Sequence, residues 1–545
     1  MEFINLKKSN WKIKVNGRGL PVNDIISKFW NSRDIENPES FLYPTGNILP
    51  SSELSCIESA ATKFVELVYN NSRFLIYADV DADGCSSAAI LYHYITKLGC
   101  ECEVFINKKK EHGVKEYFFE TEHNEQCVIV VDSINEDMSI YNRIIDSGKQ
   151  LIILDHHIPT DIVRNNAGVL NLVSSAIDYS NPHLSGSGVT WKFVNYIDSL
   201  LETNYADDLI DLAAVGIIAD VCSVGSESME NREICHKGFQ NVVNEGIKAI
   251  IGSDEMTADS ISYSIAPLVN AANRMNENNL ALSLFLTDSP AEAKKIVKEL
   301  TKIKEKQKEL ANELFLNFTE MVEPQKDNRC YYFFVDESYG TLGGLLATRA
   351  SDKWKRPCIV VHDTPEGYAG SMRATGVEDF RAIVNSSCLA ECQGHENSAG
   401  IVIQKDTFET FKNYIENVLS GLPDFSTDTE VDIHIERMQI TPLLIGKLKQ
   451  INRISGPGFP TITTLIENVQ RYNIKKMSQG KHLCVEVPDM KFLSWNFNDW
   501  DEVIEEGSMS AIGTLDESFF AGRRTMQMIM SDYIFEIQPQ KCSLW

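Results

Sequence analysis

Phe74-Leu75-Ile76-Tyr77-Ala78-Asp79-Val80-Asp81-Ala82-Asp83-Gly84 carries an apolar run into three aspartates at alternate positions. Ser86-Ser87-Ala88-Ala89-Ile90-Leu91 then opens a helix. The pattern reads as the C-terminal end of a buried parallel strand, where α/β folds place their chemistry. Alternating carboxylates there can converge on hard divalent cations, which prefer oxygen ligands. Alone, the stretch fits a solvated acidic turn equally well.

Three later stretches shift that balance. Cys127-Val128-Ile129-Val130-Val131-Asp132-Ser133 is a second buried strand ending in a carboxylate. Leu151-Ile152-Ile153-Leu154-Asp155-His156-His157 is a third, ending in Asp-His-His. Adjacent histidines on a strand face opposite ways, so one is expected to ligate a metal and the other to turn toward substrate or solvent. Leu212-Ala213-Ala214-Val215-Gly216-Ile217-Ile218-Ala219-Asp220 sets a further aspartate after an apolar segment. Carboxylates and one imidazole at one sheet edge suit a pair of Mn²⁺ or Mg²⁺ ions with a shared bridging carboxylate. Such a pair implies phosphoryl transfer. Nearby, the strand Glu103-Val104-Phe105-Ile106 runs into Asn107-Lys108-Lys109-Lys110-Glu111-His112-Gly113. Lysines at that strand end read as a phosphate contact.

A chain of 545 residues is too long for one core, so a few domains are expected. Its 43% hydrophobic and 23% charged composition is ordinary for a globular protein. No apolar run is long enough to span a bilayer, and the polar start Met1-Glu2-Phe3-Ile4-Asn5-Leu6-Lys7-Lys8 is no signal peptide. The 13 cysteines are scattered and form no zinc-ribbon or disulfide pattern, which points to a cytoplasmic chain with reduced thiols. A net charge of −26 argues against loose duplex binding, because an acidic surface repels a polyanion. It does not exclude a local basic channel.

These residues resemble the DHH phosphoesterase family, whose name is spelled by Asp155-His156-His157. The resemblance is nearest to the family's single-strand-specific exonucleases and extends along most of the chain. It rests on Asp79-Val80-Asp81-Ala82-Asp83-Gly84, Val131-Asp132, Leu154-Asp155-His156-His157 and Gly216-Ile217-Ile218-Ala219-Asp220. Leu184-Ser185-Gly186-Ser187-Gly188-Val189, Glu230-Asn231-Arg232 and the stretch from Pro267 to Met275 follow the same pattern. So do the stretches from Gly340 to Arg349, from Gly370 to Arg373 and from Gly394 to Gly400. Short strands over residues 462–535 are similar to an OB-fold, a small barrel that binds single strands on aromatics along a positive groove.

The implied fold is α/β: a parallel-sheet DHH catalytic domain, joined by a long helix to a second α/β domain, plus a small β-barrel. Expected boundaries are an N-terminal segment 1–70 packed on the catalytic domain, then 71–288 for that domain. The connecting helix is 289–322, the substrate-binding domain 323–425, and the OB-fold region with a C-terminal tail 426–545. The resemblance implies two ions, Mn²⁺ or Mg²⁺. Asp79, Asp81 and Asp132 would hold one, and Asp83, Asp132, His156 and Asp220 the other. Asp155 would orient His156, and His157 would contact the scissile phosphate. Lys108, Arg274, Ser371, Arg373 and His395 would grip the strand. Trp495, Arg523 and Arg524 are candidates on the barrel, together with Lys481, Phe497 and Trp500. Each aromatic there is read first as barrel core.

The implied activity is 5′→3′ degradation of single-stranded DNA in a bacterial or phage setting, with no membrane partner. Replication or repair proteins, such as a single-strand-binding protein, are further candidate partners. Two alternatives stand beside it. A short-oligonucleotide phosphodiesterase would need no barrel, and a non-catalytic scaffold would be expected to lose metal-site residues. The chain departs from the pattern at Tyr77, where many relatives carry His, and at Lys108, Asn273 and Gln393. Asp79 is expected to supply the ligand that Tyr77 cannot.

Overall fold

A computed structural model describes residues 2–6, 9–108, 112–365, 367–423, 425, 429–497, 500–505, 507–520 and 523–536. At its centre lies a five-stranded parallel sheet. Its strands run in the order Cys102–Ile106, Phe74–Ala78, Cys127–Val131, Gln150–Asp155, Leu172–Ser174. Phe74–Ala78 and Cys127–Val131 are buried throughout, as continuous apolar runs covered on both faces should be. Helices Ala82–Lys97, Gly186–Leu201 and Ile210–Ala219 contribute to the core on the face of Ile76 and Ile129. The face of Leu75 and Tyr77 packs on Val114, Phe118 and Tyr141.

Register makes the site. Ala78 pairs with Val131, and Val131 with Leu154. The next residue on each chain is Asp79, Asp132 or Asp155, so three carboxylates leave the sheet at one level.

The 33-residue helix Pro290–Val322 begins at Ser289, whose side chain accepts from the Glu292 N–H. It spans about 50 Å. Ile296 and Leu300 pack into the catalytic core, and Ala311 and Phe318 pack against Phe333 and Leu346 of a second α/β unit. That unit has a five-stranded sheet ordered Ala390–His395, Ser398–Gln404, Gly367–Arg373, Cys358–Thr364, Tyr331–Phe334. The last two strands are parallel and the remaining pairs antiparallel.

The C-terminal strands, Thr464–Gln470 through Arg523–Glu536, enclose one apolar interior that includes Val469, Val485, Phe492, Phe497, Met509 and Met528. Among the described residues these six strands, with Glu2–Leu6, Ser9–Asn16 and Thr429–His434, pair as one open nine-stranded sheet without a closing ladder.

The expectation that residues 1–70 pack on the catalytic domain needs correction for their first part. Strand Ser9–Asn16 pairs in parallel with Thr429–His434 and so belongs to the C-terminal sheet. Ile25, Phe29, Trp30 and Phe41 bury into the same core as Phe459 and Ile433. The later part packs on the catalytic core, through Leu54 and, on helix Ile57–Tyr69, Ile57, Ala60 and Phe64. The physical reason is that Trp11, Ile13 and Val15 alternate with lysines, giving a strand one apolar face to cover. Arg232 ties the units together. Fully buried, it donates to the carbonyls of Phe41 (2.7 Å), Val224 (2.9 Å) and Ile454 (3.1 Å), and its guanidinium lies 3.6 Å over the Phe41 ring. Among the described residues, no helix is long and apolar enough to cross a membrane.

Candidate metal centre

The level strand ends bring Asp79, Asp132 and Asp155 together, and two helix termini complete the group. Asp81 caps helix Ala82–Lys97 by accepting from the Gly84 N–H, and Asp83 lies in its first turn. Both oxygens of Asp83 accept backbone N–H groups at the start of helix Gly186–Leu201, from Gly186 (2.7 Å) and Ser187 (3.0 Å). Asp220 follows the end of helix Ile210–Ala219. The glycines are spacers. A Cβ on Gly216 would stand 2.0 Å from Asp83 Oδ1, and one on Gly186 would stand 2.7 Å from Asp132 Oδ1.

His156 faces the carboxylates. Its Nε2 lies 3.3 Å from Asp132 Oδ1, 3.5 Å from Asp220 Oδ2 and 3.9 Å from Asp83 Oδ2. Among the described residues neither His156 Nε2 nor Asp132 Oδ1 has a hydrogen-bond partner, although both atoms are buried. Asp132 adopts φ +52°, a left-handed conformation that tips its side chain off the strand path.

Two sequence expectations change here. The strand ends at Asp155, so its alternation does not govern the histidines that follow: the His156 and His157 rings lie 4.4 Å apart. Asp155 orients His157 rather than His156. Its Oδ1 accepts from His157 Nδ1 at 2.8 Å and from the His156 and His157 backbone N–H groups, while Oδ2 accepts from Ile134 N.

The electrostatics show crowded negative charge. Burial, then Asp83 and Asp81, push the Asp132 carboxyl well above its ordinary value. Burial also raises Asp79, with Asp81 adding to it against a hydrogen bond from His112. His156 is held low by burial and by His157. Burial disfavours the charge on His157, yet Asp155 outweighs it and lifts the imidazole to about 9. The paired Asp155 is correspondingly lowered, its burial overcome by the His157 charge. Several carboxylates, one inward imidazole and two unpartnered buried atoms fit divalent cations of the Mn²⁺ and Mg²⁺ class.

Two residues at this centre, and a third beside Arg274, escaped sequence reasoning. His112 places Nδ1 3.2 Å from Asp79 Oδ2 and its ring 4.2 Å from that of His157. Its signal was present, as a histidine at a strand end beside the lysines. Cys222 places Sγ 3.7 Å from Asp220 Oδ2. Arg349, on helix Gly343–Trp354, joins Arg274 and Arg373. Burial lowers Arg274, and the charges of Arg373 and Arg349 lower it further. Thr341 Oγ1 donates to the Arg274 carbonyl at 2.8 Å, tying the second unit to the catalytic unit. Gln393 Nε2 donates to Glu136 at 3.3 Å in a second such link. The absent side chain of Gly344 leaves room for Arg373, since a Cβ there would stand 3.2 Å from its Nη2 and 3.5 Å from Ser371 Oγ.

Other residues singled out in the sequence are not among these donors. Tyr77 is buried on the opposite face of the sheet and donates to Asn107 Oδ1, so it lines no metal site. Lys108 is exposed, with Nζ 4.6 Å over the Tyr117 ring. Lys109, Lys110 and Glu111 lie outside the described residues. His395 is exposed in the Gly394 hairpin. Trp495 is half exposed and meets His482 edge-on, whereas Phe497 is buried in the C-terminal core and Trp500 donates to the Gly480 carbonyl. Arg524 pairs with Glu517 at 3.3 Å, and the Arg523 side chain lies outside the described part.

Comparison with known proteins agrees with this architecture. Residues 73–217 match the DHH family, N-terminal domain, and residues 431–532 match the RecJ OB domain. The single-stranded-DNA-specific exonuclease RecJ of Bacillus subtilis is 23% identical, over 96% of this chain and 69% of its own. The crystal structure of RecJ in complex with Mn²⁺ from Thermus thermophilus superposes with a TM-score of 0.76 at 21% identity, over 96% of this chain and 79% of that one. A structure of the same protein with Mg²⁺ gives 0.72 at 20% identity, over 97% and 78%.

Proposed function

We propose that this chain, which joins a DHH-family N-terminal domain to a RecJ OB domain, is a metal-dependent exonuclease that degrades single-stranded DNA from its 5′ end. The observation that carries the reading is the buried, unpartnered pair Asp132 Oδ1 and His156 Nε2 among carboxylates. Asp79, Asp81 and Asp132 would hold one divalent cation, and Asp83, Asp132, His156 and Asp220 a second. When bound, the ions supply Lewis acidity and a nucleophilic water at neutral pH.

The chain's own groups do the rest. The backbone N–H groups of Gly186 and Ser187 fix Asp83, leaving further lone pairs on its oxygens for coordination. Asp155 holds His157 as a cation whose exposed edge can take a phosphate oxygen. Arg274 feels the charges of Arg373 and Arg349, and Ser371 Oγ and Arg373 both lie beside Gly344, so cationic groups and a hydroxyl donor gather here on a chain that is acidic overall. That gathering answers the objection raised by the net charge of −26. Binding there should show the salt dependence of phosphate contacts, and Arg373→Ala should lower the slope of log affinity against log salt by about 0.7. Trp495 offers a half-exposed ring for base stacking.

End-labelled strands test polarity. Early release of mononucleotide from a 5′ label, with a 3′ label retained on shortening products, supports the proposal. The reverse pattern contradicts it.

A further inference from the structure

We infer that Cys222 is a ligand of the divalent-cation site and makes it selective for thiophilic ions; this rests on reading the site as a metal centre. The local backbone is built to bring the thiol in. Helix Ile210–Ala219 ends, Asp220 follows, and Val221 then adopts φ +59°. A β-branched residue in the left-handed region is strained. Burial of its own side chain does not offset that strain, since Val221 is 65% exposed. The turn returns the Cys222 N–H to the Ile217 carbonyl at 3.0 Å and sets Sγ 3.7 Å from Asp220 Oδ2.

Sγ, an Asp220 carboxylate oxygen and a His156 ring nitrogen all lie within 4.8 Å of one another. Two atoms bound to one ion at about 2.0–2.3 Å stand roughly 3–4 Å apart in tetrahedral geometry, and the Sγ–Oδ2 separation falls in that range. A second observation concerns the same imidazole, whose Nε2 lies 3.5 Å from Asp220 Oδ2. Asp132 is 2% exposed, and its Oδ1, 3.3 Å from His156 Nε2, has no partner. The donors around His156 are therefore sulfur as well as oxygen.

Sulfur changes the preference. Carboxylates favour Mg²⁺ and Mn²⁺, whereas a thiolate raises affinity for Zn²⁺, Cd²⁺ and Co²⁺. On binding, the S–H proton passes to solvent and the sulfur–metal bond forms, the charge of the ion keeping the thiol deprotonated. Zn²⁺ and Cd²⁺ should then displace Mn²⁺ from this site.

The test is a Co²⁺ titration of the metal-free full chain, reading the near-ultraviolet thiolate-to-Co²⁺ charge-transfer band beside the visible d–d bands. Both should rise together in the wild type. Cys222→Ser should keep the d–d bands and lose the charge-transfer band. Its Cd²⁺ affinity should fall about tenfold or more, with Mn²⁺ affinity held within about twofold. Charge transfer absent from the wild type, or retained in Cys222→Ser, overturns the proposal and leaves the metal reading standing. Absence of Co²⁺ binding overturns both. If Cys222→Ser does not fold, ¹¹³Cd NMR of the wild type decides: a shift in the sulfur-ligated range supports the thiol ligand, and one in the oxygen-and-nitrogen range overturns it.

Discussion

Asp132 Oδ1 and His156 Nε2 lie 3.3 Å apart, and among the described residues neither has a hydrogen-bond partner. Burial and the neighbouring His157 hold His156 toward its neutral form, so the pair is not a stable ion pair. Leaving such atoms buried and unpaired costs about 1–3 kcal/mol each. A cation that both can ligate removes that cost. Mn²⁺ at a hundredfold excess over its Kd should therefore stabilise the wild type by about 2.7 kcal/mol, read as a rise in Tm. Asp132→Ala should abolish the rise.

Gly216 is a spacer, because its missing Cβ leaves room for Asp83 Oδ1 and Ser187 Oγ. Alanine favours a helix over glycine by about 1 kcal/mol, so a simple propensity argument expects Gly216→Ala to stabilise. The prediction is the opposite: lower Tm, a blunted Mn²⁺-induced shift, and a fall in rate of about a hundredfold from misplaced Asp83. A Cβ on Gly446, in helix Pro442–Asn452, would meet nothing within 4 Å among the described residues. Gly446→Ala should stabilise by about 0.5–1 kcal/mol and leave activity unchanged.

His112 steadies Asp79 through its Nδ1. His112→Ala should raise the Mn²⁺ concentration needed for half-maximal rate by about 10- to 100-fold, with the maximal rate largely restored at saturating Mn²⁺. A loss that Mn²⁺ does not restore would instead place His112 on the substrate.

Trp11 is fully buried and donates through Nε1 to Asp532 at 2.7 Å. Trp11→Ala should cost about 3–5 kcal/mol, and the loss should fall on the C-terminal unit. Hydrogen exchange should quicken in Thr464–Gln470 and Ser508–Phe520 while Phe74–Ala78 and Cys127–Val131 keep their protection.

How much of this was legible depended on whether a feature was local. The strand-to-aspartate transitions at Asp79, Asp132 and Asp155 are written in consecutive residues, and parallel register makes them converge. The long helix was equally legible, since no glycine or proline interrupts Ala291 to Phe318. The N-terminal strand was not, because its partner Thr429–His434 lies more than 400 residues away in sequence and alternation alone names no partner. The orientation of Asp155 toward His157 depended on where the strand stops, a one-residue question that apolar pattern does not answer. His112, Cys222 and Arg349 reach their sites through a loop, a strained turn and a helix face. None of these leaves a periodic signal.

The most direct test of the central claim is digestion of single-stranded DNA in Mn²⁺ and in chelator, with duplex and RNA controls and Asp132→Ala alongside. The account predicts stepwise mononucleotide release from single-stranded DNA in Mn²⁺ only, abolished by Asp132→Ala, with the duplex left intact. Cleavage that survives chelation or Asp132→Ala, or a folded, Mn²⁺-loaded chain that cleaves nothing, would contradict it.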